Sequence, residues 1–582
     1  MEVPMESPGK SDKKRANEKI SIIGVIPLYP KHTKQNIFSN VMMPPIGIVS
    51  VLTNIMQDDK YSCYCVDENN YSGPLDYLGM PDHNFLQKHN PARFAFLYGG
   101  MSNSILRMFS LAKQYKKFGC HVISGGSHVD ALPKEALKKG VDVVVHGEGE
   151  ETAKEIAEAV IKGRPLEEIK GISFINKKGE YVFTGNRDPC EDMDDLKIPD
   201  LTLMRYLRKK FSAIPLSYGL GCPFRCEFCV VHSQYGKYKS FSKEKVIEQI
   251  SRYSDMGFKE YFFTNDNFAQ DKEKTIELCK SIGDYKREFK KKLKIIVQVR
   301  SEVAEHDDLI DAMKYAGIDS VCIGYESPIN EDLKSMKKGV NYDLLVRRSR
   351  KLAKNFYIHG MFIFGYPARL SEGEKPSINL REKARIYEKF FKDAKIDSIQ
   401  VFKAIPLPGS KLRERLEREN RLLPLETVNW DKYDGLFLCY DPTPEGISAY
   451  ELQKLPNLLM NRKYAGNFLE RSSLNFFNWT KWVYRIFEFV PVFSIFYLKS
   501  LVRNIANNIR KRNDSQESSL LPQKNIFYAS LLSTWSRIKR NWRNTMIATY
   551  ARGVAKRWGR EYKQNDHSNK FKEFFAQKRE SK

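Results

Sequence analysis

Eleven short apolar runs, each closed by glycine or a polar residue and separated by helix-like stretches, limit this chain to α/β architectures with parallel sheets. Five runs lie at 19–27, 61–69, 93–100, 121–128 and 142–150. Six more lie at 214–221, 260–266, 293–301, 319–327, 359–367 and 397–406. The first group predicts a doubly wound, flavodoxin-like domain over 19–195, with a small hairpin extension turning at Asn176–Gly179 and a linker before residue 205. The second predicts a partial (β/α)6 barrel of the TIM type over 205–430. Residues 1–18 read as a polar, disordered leader with no apolar core of a secretory signal. Residues 431–582 read as a basic, aromatic-rich, mainly helical region.

In open α/β sheets ligands bind at the carboxyl ends of the strands, and glycine there lets a ligand approach the backbone. Gly99 and Gly100, then Ser124, Gly125 and Gly126, then Gly147 and Glu148 fall at such ends in the first domain. In the second, Asn265, Asp266, Arg300, Glu326 and Ser327 do the same. Each of these acids alone would more often be a helix cap or an ordinary ion pair; their ordered recurrence at successive strand ends is the signal.

Ten cysteines are scattered except for Cys222, Cys226 and Cys229, in C-x3-C-x2-C spacing on a loop after a strand. That usage argues against a disulfide framework and for a reducing compartment. Three thiolates this close can wrap a small soft-metal centre. A 4Fe–4S cluster on three cysteines leaves one iron open. Zinc would need a fourth ligand, for which His232 is near but awkwardly placed. Buried structural cysteines are the remaining alternative.

With Phe228 before the last cysteine, this segment resembles the radical SAM superfamily. The resemblance implies that Cys222, Cys226 and Cys229 hold the cluster and that its open iron chelates S-adenosylmethionine, which one electron cleaves to a 5′-deoxyadenosyl radical. It implies that Asn265, Asp266 and Asn267 lie where the family binds the methionyl amino group, with Asn265 in place of an acid. Arg300 would face the methionyl carboxylate, Glu326 and Ser327 the ribose, and Ile363 and Gly365 the adenine. Pro45 and Gly47, followed by the glycine-rich ends at Gly99, Gly100, Ser124, Gly125, Gly126, Gly147 and Glu148, resemble the cobalamin-binding domain of a subclass of that family. The Asp-x-His-x-x-Gly motif that supplies a lower axial histidine is absent, and His128 reads equally as cofactor contact or structural histidine. The resemblance implies a methyltransferase that places a methyl group on an unactivated carbon. The alternatives are ring closure or oxidation of a lipid or tetrapyrrole without methyl transfer, and modification of RNA.

The formal net charge is +25, and from Asn461 onward there are 25 Lys and Arg against 8 Asp and Glu. Such a tail suits an anionic membrane surface or a nucleic acid. The dense apolar run Phe487–Leu498 favours a lipid or isoprenoid-like substrate at a membrane and argues against nucleic acid; a helical cap over the barrel is the plainer reading. The second cluster of RNA-modifying relatives has no counterpart in Cys63, Cys65, Cys120 and Cys190. The expectation is a cytoplasmic enzyme, peripheral at the membrane, taking a hydrophobic small molecule and electrons from a donor such as flavodoxin or ferredoxin.

Overall fold

The computed structural model describes residues 19–30, 43, 45–208, 211, 213–235, 237–369 and 378–473. The leader at 1–18 and the apolar run at 487–498 lie outside the described residues.

The N-terminal half is built on β1 (Ile20–Ile26), β2 (Tyr61–Asp67), β3 (Phe94–Tyr98), β4 (His121–Gly125), β5 (Val143–Val145), β6 (Ile172–Ile175), β7 (Tyr181–Phe183) and β8 (Met204–Arg205). They form one sheet in the order β7-β6-β5-β4-β3-β1-β2-β8. The five parallel strands run 2-1-3-4-5, which is the flavodoxin-like order, with its switch point between β1 and β3. β2 and β3 are buried almost throughout, as strands covered on both faces must be. The extension at β6 and β7 is antiparallel and turns at Asn176–Gly179. The stretch read as linker instead contributes β8, which pairs parallel to β2 through Cys65 and Met204 and so covers an otherwise open edge.

The second half begins with β9 (Ile214–Leu216), after which β10 (Gly219–Leu220) pairs antiparallel with β11 (Lys239–Ser240). β12 (Glu260–Phe263), β13 (Lys294–Val299), β14 (Ile318–Glu326), β15 (Tyr357–Phe364) and β16 (Ser398–Lys403) complete a six-stranded sheet with β9. All its pairs are parallel and in strict sequence order. With the right-handed crossovers that parallel strands favour, such an order puts the connecting helices on one face. Residues alternate along β13 to β16 between fully buried and half-buried, so one face packs on helices and the other is more open.

Behind that sheet a polar network fixes the helices. Lys383 on the helix Leu380–Asp393 donates to Asp332 at 2.9 Å, and both side chains are buried. Asp332 also accepts from Ser327, whose hydroxyl takes a bond from Tyr387 at 3.0 Å; Tyr387 donates to the Ile363 carbonyl as well. Removing one partner of a buried pair leaves the other charge uncompensated. Asp332→Ala is therefore expected to lower unfolding stability by about 3–5 kcal/mol, read from the denaturation midpoint of the chain.

Candidate active site

Cys222, Cys226 and Cys229 lie half-buried on the loop between β10 and the helix Val231–Tyr235. The Cys229 amide donates to the Cys226 carbonyl at 3.1 Å, which turns the loop back on itself. Burial pushes the Cys222 thiol up and that of Cys229 to about 11. Among the described residues no three His, Cys, Asp or Glu side chains gather around a point that would hold a single ion. Zinc would draw sulfur to about 2.3 Å from one centre. Three thiols on one loop, without a fourth, suit the corners of a polynuclear cluster with one position left for a ligand that is not a cysteine.

Glu227, between the second and third cysteines, is 1 % exposed. Its carboxylate accepts from Tyr366 at 2.7 Å, from Arg415 Nε at 3.0 Å and Nη2 at 3.2 Å, and from Arg369. Its amide donates to the Met336 carbonyl and its carbonyl accepts from the Leu412 amide at 2.8 Å. Arg415 in turn donates to the Pro367 carbonyl at 2.9 Å. One residue thus fastens the cysteine loop to the end of β15, to the helix Lys411–Arg418 and to the turn after β14. Nothing in the sequence marked it except its place between two cysteines. Phe228 packs edge-on against Tyr366 at 6.4 Å.

Around this loop the sequence-nominated residues divide. The side chain of Asn265 is used inside the fold: it accepts from the Tyr218 amide and donates to the Gly219 carbonyl, pinning β12 to the strand before the cysteines. Asp266 lines the cavity described below, and desolvation raises its carboxyl to about 6, opposed by backbone hydrogen bonds that include one from Gly221. Asn267 donates to Gln270, while its Oδ1 is buried with no partner. The Arg300 guanidinium lies 3.7 Å above the Phe224 ring and donates to Glu302 at 2.7 Å, and its buried Nε has no partner. Glu326 sits at φ +63, in the left-handed region that side chains rarely adopt, at an irregularity in the β14 register. Lys338 holds it there by donating to its carboxylate at 3.0 Å and to the Gly324 carbonyl. Strain of this kind persists where the surroundings over-determine it, and it clusters at ligand sites. The Ser327 hydroxyl is consumed by Asp332, Tyr387 and the Ile329 amide, so it is a structural rather than a cofactor-facing group. Gly365 is at φ +69, and a Cβ there would meet Leu452 at 2.1 Å, so its open side faces the helix Ala449–Ser473.

A cavity of about 590 Å³ lies between the carboxyl edges of the two sheets. Pro45, Gly47, Gly100, Gly125, Gly126, Gly147 and Glu148 line one side. Ser217, Tyr235, Lys245, Gln249, Thr264 and Asp266 line the other. Gly126, at φ +117, leaves no room for a side chain: a Cβ would lie 2.5 Å from the Gly100 amide nitrogen. Gly99 and Ser124 are not on the wall. The Ser124 hydroxyl donates to the Leu97 carbonyl, and a Cβ on Gly99 would strike Val129 and Ser124. Tyr98 and Glu150, beside the glycine-rich strand ends, also line the cavity, and so does Tyr235, which neither spacing nor composition singles out. At the rim Lys239 pairs with Glu148, which also accepts from the Cys190 amide at 2.7 Å. His128 does not reach the cavity wall. It is buried against Ser102 at 2.9 Å, with the Trp430 ring edge-on at 4.7 Å, and Trp430 donates to Glu135 at 3.0 Å. Asp82 caps the helix His83–His89, and His83 is buried beside Glu68.

Residues 216–369 match the radical SAM superfamily. An uncharacterized methyltransferase, PH0819, of Pyrococcus horikoshii is 33 % identical over 322 residues, which cover 54 % of this chain and 66 % of that protein. The hopanoid C-2 methylase of Rhodopseudomonas palustris is 23 % identical over 66 % of each chain. The chain thus spans about two thirds of the length of these relatives. Among solved structures the cobalamin-dependent S-adenosylmethionine radical enzyme OxsB, with aqua-cobalamin and S-adenosylmethionine bound, superposes with a TM-score of 0.59 at 14 % identity. The match covers 96 % of this chain and 84 % of that one, and it establishes likeness of fold.

The Glu227 anchors generate a test of the loop. Glu227→Ala leaves Arg415 with Glu419 as its remaining carboxylate and frees the segment between two thiols. Iron retained after anaerobic reconstitution is expected to fall several-fold, with the far-ultraviolet circular dichroism unchanged. Glu227→Gln, which keeps the shape and loses the charge, is expected to fall between the two.

Proposed function

We propose that this chain, which belongs to the radical SAM superfamily, is a cobalamin-dependent radical methyltransferase acting on an unactivated carbon of a hydrophobic metabolite. The observation that carries the reading is the shared cavity. Asp266, bonded to the residue before Cys222, and the glycine-rich ends of β4 and β5 open onto one volume. When bound, a 4Fe–4S cluster supplies the electron that cleaves S-adenosylmethionine to a 5′-deoxyadenosyl radical, and cobalamin carries the methyl group.

The chain's own residues supply position and charge. Cys222, Cys226 and Cys229 hold the cluster on the loop that Glu227 fixes. Asp266 faces the methionyl ammonium, and Arg300, with its unpartnered Nε, takes the carboxylate in a charge-assisted bond. Glu326, oriented by Lys338, would take the ribose hydroxyls. Gly100, Gly125, Gly126 and Gly147 let a flat macrocycle approach the backbone on the other wall. Half-buried Ile296, Met361 and Ile363 on the open face of the second sheet suit a hydrophobic substrate, as does the similarity to a hopanoid methylase. Among the described residues no helix is long and apolar enough to cross a membrane. We propose a cytoplasmic enzyme that meets such a substrate at the membrane surface and receives electrons from a small donor protein.

Anaerobic reconstitution with iron, sulfide and cobalamin tests the assignment. About four irons and one cobalamin are expected per chain. Reductant-dependent 5′-deoxyadenosine should form in the wild type and be abolished in Cys226→Ala. Nucleoside formation with no cobalamin bound would remove the methyl-transfer part of the reading; stoichiometric zinc with no turnover would remove all of it. A second expectation follows from Asp266. Its carboxyl is raised to about 6, so it loses its charge as the pH falls through that value, and attraction for an ammonium goes with it. S-adenosylmethionine binding, measured by equilibrium dialysis, is expected to weaken steeply below pH 6 in the wild type. It should be weak and nearly flat with pH in Asp266→Asn.

A further inference from the structure

Past the end of β2 and its turn at Glu68–Asn70 the chain makes a closed projection, residues 72–81, before the helix His83–His89. Five backbone-directed bonds hold it shut. The Asp76 amide donates to the Met80 carbonyl at 2.7 Å, Gly79 donates to the Asp76 carbonyl at 2.9 Å, and Asp82 donates to the Pro74 carbonyl at 3.0 Å. The Asp76 carboxylate accepts from the Leu78 and Met80 amides, both at 2.9 Å. Gly79 at φ +72 makes the reversal, a conformation glycine adopts without strain. A tip this well bonded would be expected to carry polar side chains. It carries Leu75, Tyr77 and Leu78, which are 57 %, 94 % and 69 % exposed.

The base of the projection is basic. The segment at β8 runs beside it: Ser72 donates to the Tyr206 carbonyl at 2.8 Å, Tyr71 bridges Leu207, and the Arg208 amide donates to the Asn70 carbonyl. Arg205 and Arg208 on that segment are exposed, as is Lys88 on the following helix. The acids nearby are engaged locally. Asp76 closes the tip, and Asp82 caps the helix through the Asn84 and Phe85 amides.

We propose that the 72–81 projection is an interfacial anchor that seats the N-terminal domain on an anionic bilayer, with Leu75, Tyr77 and Leu78 entering the headgroup boundary and Arg205 and Arg208 facing the lipid phosphates. Two features select a bilayer over a protein partner. Three side chains of this size expose on the order of 400 Å², about half of the roughly 800 Å² that each partner buries in a standard protein interface. A leucine–tyrosine–leucine tip above a cationic collar is complementary to an acyl layer beneath anionic headgroups, where an aromatic ring with a polar end is at home. The internal bonds add pre-organisation: the apolar side chains are presented without further ordering of the backbone. This inference is independent of the reaction proposed above, since it concerns a surface on the far side of β2 from the cavity-lining strand ends β3 to β5.

The test uses the full chain and vesicles of phosphatidylcholine alone or with roughly one-third phosphatidylglycerol, an anionic lipid. Co-sedimentation with the anionic vesicles only is expected. The triple variant Leu75→Ser/Tyr77→Ser/Leu78→Ser should lower the partition coefficient at least about tenfold at unchanged thermal midpoint. Arg208→Glu should lower it several-fold and flatten its salt dependence. Because the basic C-terminal region could bind lipid by itself, Tyr77→Trp supplies a local reading. Its emission, taken as the difference from the parent protein, should shift to the blue and be quenched by brominated acyl chains. Vesicle binding unaffected by the triple variant, an unmoved Tyr77→Trp emission, or absence of binding by the wild type would each overturn the anchor. So would a fall in oligomeric mass, without a fall in vesicle binding, on making the triple variant; that result would assign the tip to a second copy of the chain.

Discussion

A carboxylate buried between two cysteines ties the cysteine loop to the last three β/α units of this protein's second half. Taking a charged glutamate out of water is unfavourable by several kcal/mol unless partners replace the lost hydration. Glu227 obtains them from Tyr366, Arg369 and Arg415, while its own backbone bonds to Met336 and Leu412. These groups come from the ends of three successive β/α units. The requirement to satisfy one buried charge therefore fixes where the cysteine loop lies relative to the last strands of the sheet. The thiols inherit that position instead of creating it.

The second organising fact is that both sheets present their carboxyl edges to the same volume. A switch point in the first sheet and the strand ends of the second are each ordinary ligand-binding places. Here they face each other, and Lys239 and Glu148 pair at the rim. Away from the cavity, Trp430 and Glu135 join the two halves again, with His128 packed beneath. The residues that join the halves are mostly polar, and those that line the cavity are mostly apolar, with glycines at the strand ends.

What could be read from the amino-acid sequence was what local chemistry encodes. The parallel strands of a doubly wound first domain and the six β/α units of the second follow from the spacing of apolar runs, and the three thiols and the glycine-rich ends follow from the residues themselves. The side chains whose roles depend on distant partners were not legible. Asn265 stands where the family binds an amino group, yet its amide is spent on Tyr218 and Gly219. Ser327 has the same history: Tyr387, 60 residues downstream, takes its hydroxyl together with Asp332 on the next helix. Tyr235 and Lys239 lie only a few residues beyond the cysteines, but what they face is set by the other domain. β8 escaped notice because two residues of pairing carry no periodicity.

The most distant partner of the cysteine loop is 188 residues downstream of it: Tyr366 and Arg369 come earlier, and the set around Glu227 is complete only once Arg415 is made. A ribosome adding about 5–20 residues per second needs roughly ten to forty seconds to cover that distance. Throughout that interval the three thiols have been made and Arg415 has not. The first sheet, complete at β8, has every strand it needs well before then. Assembly of this protein therefore has a built-in order in time. The half that offers glycine-rich edges is finished early, and the site between the two halves is closed by one of the last helices to be synthesised among the described residues.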